Sequence, residues 1–156
     1  MKRFIILCSI VIAIVATVWF KYNDYKINYN KLLSQNFEYE ELYQKEIYGT
    51  ALTTVINKVI NNNEENNVEK GSDNKYISND TNSIRVEIKM LDIDSIYSME
   101  TLYNGGIEKF VEYYGSIQFK CTKIEYHKST GKVKYLYFEQ ITQLKILIFG
   151  IKNIKI

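Results

Sequence analysis

Residues 117–140 read IQFKCTKIEYHKSTGKVKYLYFEQ, two runs rich in β-branched and aromatic residues on either side of Ser129, Thr130 and Gly131. Such runs favour pleated backbone, and a three-residue loop with glycine in the left-handed position joins antiparallel strands. Residues 117–128 and 132–140 are therefore expected to form a hairpin. With Lys128 opposite Lys132, Ile124 faces Leu136 and Thr122 faces Phe138 on the buried side. Ile117, Phe119 and Cys121 have the opposite parity to Ile124 and Tyr126. An extra residue must interrupt the pleat between the two sets, so a bulge is expected near Thr122 or Lys123.

Upstream of the hairpin, Met99, Leu102, Tyr103, Gly106, Ile107, Phe110, Val111 and Tyr114 recur at the spacing of one helix with an apolar face, stopped by Gly115. Gly105 and Gly106 lie inside it at a cost of about 1–2 kcal/mol of helix propensity, which points to close backbone packing there. Before it, Ile84, Val86, Ile88 and Met90 alternate with Arg85, Glu87 and Lys89, the pattern of a strand with one buried face. Residues 61–83 are almost wholly polar apart from Val68, Tyr76 and Ile77 and read as an exposed loop, with room for a short strand at 75–78. Asn36 is placed to cap an amphipathic helix with Glu38, Glu40 and Glu41 in its first turn. Its apolar positions would be Leu42, Tyr43, Ile47, Ala51, Leu52, Val55, Ile56, Val59 and Ile60, with a break near Gly49 and an end at Asn61, Asn62 and Asn63. Helix, strand, helix, strand, strand is an α+β order: a three- to four-stranded antiparallel or mixed sheet with helices packed on one face.

The N-terminus has a different solvent preference. Met1, Lys2 and Arg3 precede seventeen uncharged residues, 4–20, and Lys21 follows. Seventeen residues reach the lower limit of a bilayer span. Phe4, Ile5, Ile6, Leu7, Ile10, Val11, Ile12, Ile14, Val15, Val18, Trp19 and Phe20 supply the apolar surface. At about 0.3–0.6 kcal/mol each, the Leu, Ile, Val and Phe residues favour insertion by roughly 3–7 kcal/mol, with no charge opposing. Lys2, Arg3 and the amino group hold the N-terminus on the cytoplasmic side, and Trp19, Phe20 and Tyr22 suit the outer headgroup layer. A cleaved signal peptide is the competing reading, but Val18, Trp19, Phe20 and Lys21 are bulky where processing needs small residues. The expected organisation is a transmembrane anchor at 1–21, a stalk at 22–36, an extracytoplasmic α+β domain at 37–140, and an apolar basic tail at 141–156. The tail could be a further strand, an interfacial segment or the product of a frame disturbance.

Of the 156 residues, 46% are apolar and 24% charged, which excludes both a disordered chain and a polytopic membrane protein. Net charge is +2, divided unevenly: residues 61–115 hold 5 basic and 11 acidic groups, residues 116–156 hold 8 and 2. This asymmetry suits a solvated surface, and no nucleic-acid motif accompanies it. Cys8 lies in the leader and Cys121 stands alone, so the domain has no disulfide. Leu7 before Cys8 excludes a lipoprotein signal. His127 is the only histidine and no metal-ligand spacing surrounds it. Cys121 and His127 share a parity but are too far apart along an extended strand to form a catalytic pair, which leaves a buried thiol and a surface histidine. Asp92 and Asp94 suit capping of the following helix better than a cation. No cofactor and no enzymatic activity are expected. Fourteen tyrosines are an unusual number, and Tyr113, Tyr126, Tyr135 and Tyr137 form the candidate interaction surface, since a tyrosine supplies both area and a hydrogen bond.

Residues 48–58, YGTALTTVINK, and 119–127, FKCTKIEYH, resemble segments of uncharacterised membrane-anchored proteins of low-GC Gram-positive bacteria. The resemblance covers roughly residues 4–140 and implies no activity. The tail departs from it. An apolar N-terminal helix leading into an amphipathic helix and a sheet is also similar to the architecture of type IV pilins and pseudopilins. The leader lacks the short basic peptide ending in Gly or Ala and the glutamate just inside the apolar stretch that those proteins carry. The expected function is a structural or protein-interaction module in a cell-surface or secretion-related assembly, with the lipid bilayer and an unidentified protein as partners. The alternative is an anchored ligand-binding sensor or accessory domain.

Overall fold

A computed structural model describes residues 2–91 and 94–141. The chain divides into two units, residues 1–38 and residues 39–156. The first is dominated by α1 (Lys2–Glu40), one uninterrupted helix of 39 residues. Its apolar side chains from Phe4 to Phe20 are exposed, and by length and composition it can cross a membrane. The expected boundary between anchor and stalk leaves no mark on the backbone, because residues 22–36 continue the same helix. Tyr25 and Tyr29 stack one turn apart within it, with ring centroids 6.1 Å apart.

The amphipathic helix expected from Asn36 is corrected. Asn36 lies inside α1, which ends at Glu40. A turn with Gln44 at φ 60° follows, then a short strand, β1 (Glu46–Tyr48), and a new helix, α2 (Gly49–Glu65). Leu42, Tyr43 and Ile47 happen to fall in step with the period of α2, but Ile47 is a strand residue paired with Phe119. The buried positions of α2 are Gly49, Leu52, Thr53, Ile56, Val59, Ile60 and Asn63, a seam at 3- and 4-residue spacing, and the helix itself runs two residues past the expected end at Asn63.

After β2 (Arg85–Met90) comes a strand that the sequence did not announce, β3 (Ser95–Ser98). The single helix expected at 99–114 is two, α3 (Met99–Asn104) and α4 (Ile107–Tyr114), because Gly106 takes φ 96° and turns the chain. Ser98, not Asp94, caps α3, accepting from the Thr101 N–H at 3.3 Å. Asp94 sits at φ 45°, and Asp92 is outside the described residues. The hairpin is β4 (Gln118–Tyr126) and β5 (Val133–Gln140). The bulge is present: Cys121 pairs with Phe138 and Lys123 with Tyr137, which leaves Thr122 as the extra residue. Ile124 faces Leu136 as expected, whereas the partner of Phe138 is Cys121, because the bulge shifts the register. The loop is closed by the His127 N–H bonded to the Lys132 carbonyl, so it holds four residues, 128–131, one more than expected, with Gly131 at φ 69°.

The architecture is α+β, with five strands in the order β1-β4-β5-β2-β3. Among these five strands of the described residues, β2 and β5 pair in parallel and the other neighbours antiparallel. One face of the sheet carries Val86, Ile88, Phe119, Cys121, Leu136 and Phe138, all buried, and α2, α3 and α4 pack there. Residues 66–84 are less exposed than their composition suggests. Val68, Tyr76 and Ile84 join the core, and the Asn79 side-chain oxygen accepts from the N–H groups of Thr81, Asn82 and Ser83 at 2.9–3.0 Å. The hairpin tip holds this turn: Ser129 donates to the Asp80 carbonyl and Thr130 to the Thr81 carbonyl. The tail expectation concerns residues of which only Ile141 is described; residues 142–156 lie outside the described set.

Candidate functional site

The sheet face opposite the helices is organised in cross-strand rows. Glu46, Lys120, Glu139, Lys89 and Ile96 stand side by side from edge to edge, alternating in charge until the last. In the next rows Lys123 faces Tyr137 and Tyr137 faces Glu87, while Glu125 faces Tyr135 and Tyr135 faces Arg85. Opposite charges in register stabilise a solvated face by roughly 0.2–1 kcal/mol per pair. Tyr135 and Tyr137 stack at 6.3 Å within this frame. The Tyr135 hydroxyl donates to Glu87 at 2.8 Å, Glu87 pairs with Arg85 at 2.7 Å, and Lys123 sits over the Tyr135 ring at 5.7 Å. Burial, then the hydrogen bond to Glu87, pushes the Tyr135 phenol well above its ordinary range.

The four candidate tyrosines do not form one surface. Tyr135 and Tyr137 share the ladder. Tyr126 ends β4 and its hydroxyl donates to Glu40 at 3.0 Å. Tyr113 belongs to α4, in the helical layer, and is 61% exposed. There it borders an open cleft of about 340 Å³ between α3, α4 and the ends of β2 and β3. The cleft walls are Met90, Tyr97, Leu102, Phe110 and Tyr114, with Phe110 and Tyr114 stacked at 5.4 Å. Thr101 and Lys109, both exposed, stand at its mouth beside Gly105 and Gly106. No residue of this cleft other than Tyr113 was a candidate in the sequence, because its walls are contributed by four separate segments.

A second hollow, between residues 73–77 and the β2–β3 edge, is polar, and both of its bases are paired with acids. Lys75 pairs with Asp73 at 3.8 Å and Arg85 with Glu87, while Glu100 accepts the Tyr76 N–H at 3.2 Å.

The expected surface histidine is corrected: His127 is 3% exposed, and its Nε2 lies 2.8 Å from the Ser83 carbonyl. A carbonyl can only accept, so Nε2 carries the proton. Cys121 is fully buried, its thiol reaches the Lys123 carbonyl at 3.7 Å, and burial pushes it up to about 11. The two side chains serve different partners and form no pair. Among the described residues no three His, Cys, Asp or Glu side chains are grouped to hold a metal ion. No protein-family model, curated protein or solved structure matches the chain.

Proposed function

We propose that this chain is a membrane-anchored extracytoplasmic binding domain, with residues 4–20 in the bilayer, Lys2 and Arg3 on the cytoplasmic side, and a small ligand taken by the cleft at α3 and α4. The cleft carries this reading. A concave site with apolar and aromatic walls and a few polar groups at its mouth is the usual form of a ligand pocket, and 340 Å³ falls within the range of about 300–1,000 Å³ that such pockets occupy. The role is that of a sensor or accessory domain without catalysis. Met90 and Met99 test it: both are buried, but only Met90 lines the cleft. In the full chain in lipid nanodiscs, with methionine methyls labelled for NMR, the small aromatic probe 4-phenylbutanol should shift the Met90 methyl saturably and leave Met99 in place. Equal shifts of both, or none, count against a ligand site.

A second reading, a structural or protein-interaction module of a cell-surface or secretion-related assembly, is favoured by the stacked Tyr135 and Tyr137 on the sheet face opposite α2, α3 and α4. Crosslinking in intact cells tests it. An adduct lost in a Tyr135→Ala, Tyr137→Ala double variant supports this reading, and an adduct indifferent to both removes it. A pilin-like version further requires prepilin peptidase for surface display.

A further inference from the structure

We infer that the α3–α4 cleft selects a small monoanion with an aromatic body, such as an arylalkanoate, and that Lys109 is its charge-reading residue. This rests on the ligand-binding reading above and adds the chemistry of the ligand. The first observation is charge. Among the described residues lining the cleft, Lys109 is the only ionised side chain, and no acid accompanies it. Its ammonium has no ion-pair or hydrogen-bond partner among the described residues. A ligand seated against apolar walls strips water from that ammonium, and the loss is offset only by a group that accepts a charge-assisted hydrogen bond. A carboxylate does this; an alcohol does it poorly, and an amine adds repulsion.

The second observation is shape. Tyr97, Phe110 and Tyr114 present aromatic surface, and the Phe110–Tyr114 stack fixes two of the rings. Offset or edge-on contact with such rings favours a flat aromatic body over a bulky aliphatic one. A volume near the lower end for ligand sites holds one ring with a short chain. Gly106, turned at φ 96°, lines the cleft without a side chain, and the Lys109 stem lies alongside it.

The test compares 4-phenylbutyrate, 4-phenylbutanol and 4-phenylbutylamine at pH 7 on the full chain in nanodiscs, read by the Met90 methyl. Phenylbutyrate should bind about tenfold more tightly than the alcohol, the fold-change of one charge-assisted hydrogen bond, and the amine should bind weakest. Lys109→Gln should erase the difference between acid and alcohol, and Lys109→Glu should reverse the order of acid and amine. Lys109 is exposed, so both variants should fold, with unchanged Met99 shifts as the check. Equal affinities in the native protein, or an acid preference that survives Lys109→Gln, would overturn the inference while leaving the cleft a binding site. If none of the three probes moves Met90, the ligand-binding reading fails with it. Nuclear Overhauser contacts from Met90, without probe, to methyls of residues 142–156 or of a second copy would assign the cleft to protein and also overturn the inference.

Discussion

At the scale of single residues, two asparagines do more for the domain than their polar setting in the sequence suggests. Asn63 is fully buried; its Nδ2 donates to the Ile84 carbonyl at 2.8 Å and its Oδ1 accepts the Ile84 N–H at 2.9 Å. The end of α2 is thereby fastened to the start of β2. Asn63→Ala leaves both Ile84 groups buried without partners, and equilibrium denaturation should report a loss of about 3 kcal/mol. Asn63→Asp should be no better, because the donor is lost and a charge is buried. Asn79 accepts the three backbone N–H groups through its oxygen and donates its Nδ2 to Asn82 Oδ1 at 2.7 Å, so Asn79→Asp, which keeps the acceptor and loses the donor, should fall between the native protein and Asn79→Ala in stability. Neither role could be read from residues 61–83, since an asparagine that is buried and doubly bonded has the same letter as one in a solvated loop.

At the scale of elements, β2, β4 and β5 were legible because each is long enough to repeat its alternation of buried and exposed residues. β1 and β3 were not. They hold three and four residues, with one clearly inward side chain in β1 and only partial burial in β3, and no period can be read from so little. The bulge at Thr122 was legible because parity reverses across it. Two glycines carry element boundaries: the break near Gly49 was expected from the sequence, and the helical period concealed the one at Gly106. Gly106→Ala places a side chain at φ 96° and should cost about 1–3 kcal/mol, separating α3 from α4 less cleanly. Gly49 opens α2 against the end of α4, where an added Cβ would collide with the Tyr114 carbonyl. Gly49→Ala should therefore cost more, about 3 kcal/mol or above, by forcing the two helices apart. Thermal unfolding of the two variants side by side checks the order. The candidate site was half legible by the same logic. Tyr135 and Tyr137 were recognisable as strand neighbours of one parity, while the separation of Tyr113 and the cleft it borders depend on tertiary packing.

At the scale of the whole molecule, buried acids of high pKa set a limit on alkaline stability. Burial pushes the Cys121 thiol from its usual 9.0 up to about 11 and the Tyr39 phenol from 10.0 up to about 12. Each keeps its proton in the folded state after the unfolded chain has lost it, so their contribution is complete below pH 9 and is lost as pH rises through 11 and 12. Domain stability should fall over that window, and Cys121→Val should flatten the first part of the fall. The same burial makes the thiol unreactive toward maleimide at pH 7 until the domain unfolds.

The anchor is the claim on which the proposed setting of the domain rests. It is tested most directly in a Cys8→Ser background carrying Ser72→Cys, whose position is exposed, with buried Cys121 as a silent control. Cells expressing the full chain are treated with a membrane-impermeant maleimide, then lysed and extracted with alkaline carbonate. Label on residue 72 before lysis and protein retained in the membrane pellet are expected. Protein released by carbonate, or labelled only after lysis, would contradict the anchor.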